Sequence, residues 1–173
     1  MTRTDVPSGA PDAPTGPSGL RELAARHALL PLRIFLGVTF VYAGLDKLTD
    51  SAFLSATGSG SIGELMNGVR DTSAIPALVD MALKAPVGFA VALAIGELLV
   101  GLGVLAGLLT RIASVGGALI SLSLWLTVSW AVTPYYYGND LIYLMAWTPL
   151  ILAGAPYLSL DSLIRSRRSR RTA

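Results

Sequence analysis

Four apolar stretches, at about 29–48, 86–109, 112–132 and 141–158, dominate this sequence. Each is close to the roughly 20 residues that a helix needs to cross the hydrocarbon core of a bilayer. Lipid offers no partner to backbone N–H and C=O groups, so stretches of this kind are satisfied as helices. The chain as a whole is 53% apolar and only 14% charged, whereas a soluble domain is about a quarter charged. A soluble enzyme is thereby excluded, and the expected fold is all-α: an integral membrane four-helix bundle.

The flanks divide the chain into three parts. Residues 1–19 hold four prolines, three glycines and two serines and no apolar run, so they bury too little surface to offset the entropy of ordering. We expect a disordered cytoplasmic segment over 1–27, a membrane domain over 28–161 and an Arg-rich cytoplasmic tail over 162–173. The first segment lacks the apolar core of a signal peptide, so no cleavage is expected and the first span acts as its own insertion signal. Orientation follows from the basic residues. Arg3, Arg21, Arg26, Arg33, Arg111, Arg165, Arg167, Arg168, Arg170 and Arg171 fall on one side of the expected spans, against Lys47, Arg70 and Lys84 on the other. The positive-inside rule then gives a multi-pass protein of the plasma membrane with both termini cytoplasmic. The external loop, 49–85, carries Ile62, Leu65, Met66 and Val69 at i, i+3, i+4, i+7 spacing, and Leu78, Met81, Ala82 and Ala85 repeat it after Pro76. Two short amphipathic helices are expected there, serving either as a surface anchor or as a lid over a ligand site.

Inside the spans, the few polar residues carry the information. Arg33, Gly37, Phe40, Gly44 and Lys47 share one face of the first helix, which must turn toward other helices, because charge facing lipid costs several kcal/mol. Glu97 sits about halfway along the second span. It is either held by a structural hydrogen bond, for instance to Arg33 or a tryptophan indole, or it serves a ligand as proton donor. At the outer ends of the first and fourth spans, Asp46, Lys47, Asn139 and Asp140 reach similar depth beside Tyr135, Tyr136 and Tyr137. Lys47 with Asp140, or Asp46 with a tyrosine hydroxyl, makes a satisfied polar plug, while an aromatic belt accounts for the tyrosines by themselves. Asp140, Tyr143 and Trp147 continue along one face of the fourth helix towards the depth of Glu97. Such a polar and aromatic lane suits a flat amphiphile such as a quinone head group, and packing alone gives the same spacing.

The chain has no cysteine and one histidine, His27. Haem attachment through cysteine, bis-histidine haem and iron–sulfur clusters are excluded, and no metal-ligand spacing is present. The basic tail reads as orientation and anionic-lipid contact, with no nucleic acid partner. Gly88, Ala92, Gly96 and the Gly103xxxGly107 pair permit close helix contacts, within one chain or in a homo-oligomer.

The segments "RIFLGVTFVYAGLDKL", "GELLVGLGVLAGLLTR" and "YYYGNDLIYLMAWTPLILAGAPYLSLD" resemble the DoxX/DoxD family of small four-helix membrane proteins. The long external loop looks most like the DoxD branch, the small subunit of thiosulfate:quinone oxidoreductase. The resemblance covers roughly residues 30–161. It implies a membrane subunit that passes electrons from thiosulfate or another reduced sulfur compound to membrane quinone, working beside a second oxidoreductase subunit. It also points to Arg33, Lys47, Glu97, Arg111, Asn139 and Asp140 as the positions that match the family's polar marks. From these readings together, Glu97 is the expected catalytic group. Arg33, Lys47, Asn139, Asp140, Tyr143 and Trp147 are the expected quinone contacts, and Arg111 and Asp46 are structural or lipid-facing. The alternative function is a non-catalytic membrane scaffold that recruits soluble redox partners.

Overall fold

A computed structural model describes residues 18–154 and Ser159. The expected tail at 162–173, and most of the segment after Gly154, lie outside the described residues. Among the described residues the chain is all-helical: α1 Ser18–His27, α2 Leu30–Thr49, α3 Ile62–Arg70, α4 Pro76–Leu83, α5 Pro86–Ala106, α6 Thr110–Thr127 and α7 Asn139–Ala153, with a 3-10 turn at Tyr135–Tyr137. α1 begins inside the segment expected to be disordered. Its sequence, SGLRELAARH, is made largely of Ala, Leu, Arg and Glu, all strong helix formers.

The four long helices pack in a ring, α2 on α5, α5 on α6, α6 on α7 and α7 back on α2. Their shared core is Leu36, Phe40, Val100, Val104, Trp147 and Leu150. Two of the four are both long and apolar enough to cross a membrane, α5 and α6. α2 has 20 residues but carries Arg33, Asp46 and Lys47. α7 has 15 residues, a rise of about 22 Å against a hydrocarbon core of about 30 Å. It stops earlier than the sequence predicts because Gly154, at φ +69°, leaves the helical region. The second predicted span likewise ends three residues early, where Gly107 takes a left-handed φ of +66° and caps α5. Leu109, at φ +48°, then opens α6. Outward faces of all four helices are apolar: Phe35 and Tyr42 on α2, Leu99 on α5, Ile112 and Leu119 on α6, and Met145 and Leu152 on α7 are exposed. A surface of this kind is stable against lipid and a liability in water.

Close approach of α2 and α5 depends on glycine. A Cβ at Gly101 would lie 2.7 Å from the Val41 nitrogen and 2.8 Å from the Gly37 oxygen, and one at Gly44 would lie 2.6 Å from the Ala94 oxygen. These are backbone atoms that cannot rotate aside, so the helices must separate to admit a methyl group. We expect Gly101→Ala to cost about 1–3 kcal/mol, read as a lowered thermal midpoint in detergent. Gly88→Ala, whose Cβ would meet only Ala85 at 3.8 Å, should be close to neutral. Two of the small residues of α5 are used within the chain, Gly96 facing Ile120 and Gly103 facing Ala113, both on α6, whereas Gly88 and Ala92 are exposed.

Both expected amphipathic helices form. Ser61 caps α3, its hydroxyl accepting from the Glu64 amide at 3.1 Å, and the Glu64 carboxylate accepts from the Gly60 amide at 2.7 Å. The inner face of α3 is the predicted one except at Leu65, which is 50% exposed. That of α4 differs: Val79 and Ala82 are buried, whereas Met81 is 61% exposed. The Arg70 guanidinium donates to Asp80, tying α3 to α4 and holding the Asp80 carboxyl below its ordinary range, so the pair stays ionised across physiological pH. Between these helices, the Ala74 amide and the Ser73 hydroxyl both donate to the Leu126 carbonyl, at 2.9 and 3.2 Å. Leu126 lies in the last turn of α6, where carbonyls lack helical partners. The α3–α4 pair is thereby fastened across one end of the bundle.

Candidate functional site

Lys47 and Glu97 meet beneath that end. Antiparallel packing brings the last turn of α2 beside the middle of α5, and the four-carbon stem of Lys47 carries its ammonium inward. Nζ donates to Glu97 Oε2 at 2.9 Å, to Oε1 at 3.1 Å and to the Ala43 carbonyl at 3.4 Å. The Glu97 side chain is 4% exposed and that of Lys47 23%. A carboxylate so placed requires a compensating partner, and this ammonium, grasped by both oxygens, supplies it.

The pair lies on the wall of a cavity of about 420 Å³. Lys47 and Glu97 face Asn139, Asp140 and Tyr143 from the first turns of α7, while Phe40, Leu124 and Val128 supply apolar walls. Asp140 accepts from the Ser129 hydroxyl. The Lys47–Asp140 plug is therefore replaced by two separate pairs on one cavity. Ser129 follows α6 in the connection to α7 and reaches Asp140 locally, which leaves Lys47 for the more deeply buried carboxylate.

Of the residues singled out from sequence, Lys47, Glu97, Asn139, Asp140 and Tyr143 line this one cavity. Trp147 lies below them, fully buried, its ring edge-on to Phe40 with centroids 4.9 Å apart. It packs against Gly117, where any Cβ would collide with the indole, and so it belongs to the core rather than to the cavity wall. Arg33 does not join the group. It lies in the first turn of α2, fourteen residues before Lys47, about 21 Å away along the axis, and a Cβ at Gly107 would lie 3.5 Å from its Nη1. Neither Arg33 nor an indole is therefore the partner of Glu97. Arg111 donates to the Leu152 carbonyl at 3.0 Å and so caps the end of α7, a structural use. Asp46 is exposed on the last turn of α2. Among the described residues there is no group of three or more His, Cys, Asp or Glu able to hold a metal ion.

Three cavity residues, Thr39, Ser121 and Ser129, escape a search for charge. A signal for Ser121 exists nevertheless: Ser114, Gly117 and Ser121 recur at spacings of three and four, and all three are buried. Such a stripe of small residues marks the face of α6 that turns inward.

A model of the DoxX family matches residues 28–130. The match takes in α2 to α6, with Lys47 and Glu97, and stops short of α7. No curated protein and no solved structure matches the chain.

Proposed function

The chain belongs to the DoxX family, whose members are membrane proteins, and on that premise we propose that it is the membrane subunit of a quinone-linked oxidoreductase. Its electron donor would be thiosulfate or a related reduced sulfur compound, delivered with a second subunit, as in the DoxD branch. The observation that carries this reading is the cavity itself, where an inward-turned ion pair, a second carboxylate, an amide and a tyrosine share walls with apolar side chains. These residues fit a quinone head: Phe40, Leu124 and Val128 suit its flat faces, and the polar groups suit its two carbonyls. A quinone, when bound, accepts two electrons and two protons to become a quinol. The role of the chain's own groups is to position and to handle protons. Lys47 would turn the N–H of its long bond to the Ala43 carbonyl toward a quinone oxygen and give up that proton. The Glu97 carboxylate holds the ammonium in place and relays to the resulting amine a proton taken up from water, the second proton of the quinol coming from the same source; Tyr143 closes the far side. With no cysteine and a single histidine in the chain, the electrons must come from the partner.

Purified protein in lipid vesicles, with its donor subunit, should reduce a soluble quinone analogue when thiosulfate or sulfite is supplied. Failure of every sulfur donor while the quinone still binds would move the donor to another class. Failure of quinone binding would remove the reading altogether.

Four spans with cytoplasmic termini complete the proposal, supported by the apolar outward faces of all four long helices and by the side of the chain on which most arginines fall. The absence of native cysteine makes this directly testable. Single cysteines at Ser59 and Thr133, both exposed, should react with an impermeant thiol reagent in intact cells, and cysteines at Ser8 and Ser166 should not. Labelling of the last two from outside would overturn the topology.

A further inference from the structure

A second chamber, of about 290 Å³, lies between the α3–α4 pair and the bundle. It shares Lys47, Leu124 and Val128 with the polar cavity, so the two are adjoining compartments. Their chemistry differs sharply. Phe53, Met66, Val69, Leu78, Phe89 and Leu93 form the chamber's walls. The two hydroxyls on its surface are already committed: Ser123 donates to the Ile120 carbonyl at 2.8 Å and Thr127 to the Ser123 carbonyl at 2.7 Å. Among the described residues the one charged group on its lining, the Lys47 ammonium, is directed to Glu97 on the side of the polar cavity. What this compartment can bind is therefore a chain with no polar atoms, attached to a head that lies beyond Lys47.

We propose that the chamber takes the isoprenoid chain of the quinone whose head occupies the polar cavity, with α3 and α4 as its cover. This rests on the quinone reading above and adds to it the recognition of the tail. That the two compartments adjoin at Lys47, Leu124 and Val128 favours one amphiphile reaching into both. The arrangement also gives the α3–α4 pair a purpose, because its fastening to Leu126 and the Arg70–Asp80 clasp hold a cover over an apolar space that would otherwise open to water.

The test compares two quinones with the same head, one without a side chain and one with two isoprene units, by their dissociation constants for the purified protein and for Met66→Trp. Partition into the detergent enters both proteins' values equally, so the ratio of the two constants reports the chamber alone. The ratio should fall at least about tenfold in Met66→Trp, because burying several methylene groups is worth that and more. Leu65→Trp, at a position that also lines the chamber and is 50% exposed, is the second variant if the first fails to fold, with retained helicity checked by circular dichroism. An unchanged ratio in a folded variant would place the chain elsewhere and overturn the inference while leaving the quinone reading standing. An unchanged ratio together with loss of co-purifying phospholipid would assign the chamber to a lipid acyl chain and overturn it equally. If the unsubstituted protein binds neither quinone, both the inference and the reading beneath it fall.

Discussion

Replacing Glu97 by glutamine is expected to lower quinone turnover by about tenfold to a hundredfold, with little change in the quinone concentration at half-maximal rate. The amide keeps the length of the side chain and can still accept from Lys47, so the cavity retains its shape. What is lost is the negative charge and with it the site that takes up and relays a proton, and removal of a positioned acid–base group costs about a hundredfold or more. Steady-state quinol formation by the reconstituted protein reads the effect. A full rate in Glu97→Gln would remove the proton-handling role, and if the variant also restored a deletion strain completely, the scaffold reading would replace the enzymatic one.

The second large effect is on stability. Lys47→Met leaves Glu97 buried without its partner, and breaking a buried ion pair from one side costs about 3–5 kcal/mol. Because the Lys47 side chain is 23% exposed, we expect the lower end of that range. Lys47→Met combined with Glu97→Leu should recover most of the loss, since two apolar groups of similar size demand nothing from each other. Equilibrium unfolding in mixed micelles measures both, and a double variant no better than the sum of the two single ones would mean that the pair contributes independently rather than through contact.

How far these features were legible in the sequence depends on the range of the interaction. The stripe Arg33, Gly37, Phe40, Gly44 and Lys47 is set by helical period alone, and four of the five are buried as that period demands. Periodicity likewise located α3 and α4 and, apart from Leu65, the inner face of α3. The partner of Glu97 was not legible, because it depends on the relative height of α2 and α5. That height is fixed by Gly44 fitting against Ala94 and Gly101 against Val41, contacts between segments some fifty residues apart that no single-helix pattern encodes. Hydropathy extended the ends of α5 and α7 past Gly107 and Gly154, since it counts apolar side chains and is blind to the backbone conformation at a glycine. Lys47, Glu97, Asn139, Asp140 and Tyr143 were found because charge, amide and phenol are conspicuous in apolar surroundings. Ser121 and Ser129 were missed because a hydroxyl can satisfy itself on a helical carbonyl and so gives no sign of facing a cavity.

The central claim, that a quinone head lies between Lys47–Glu97 and the start of α7, is tested most directly by photolabelling with an azidoquinone in native membranes, followed by peptide mapping. The account predicts covalent label on the segments 39–47 and 121–143, which line the polar cavity, and loss of that label when excess unmodified quinone is present. Label confined to outward-facing positions such as Phe35, Leu99 and Leu119, and not displaced by excess quinone, would contradict it.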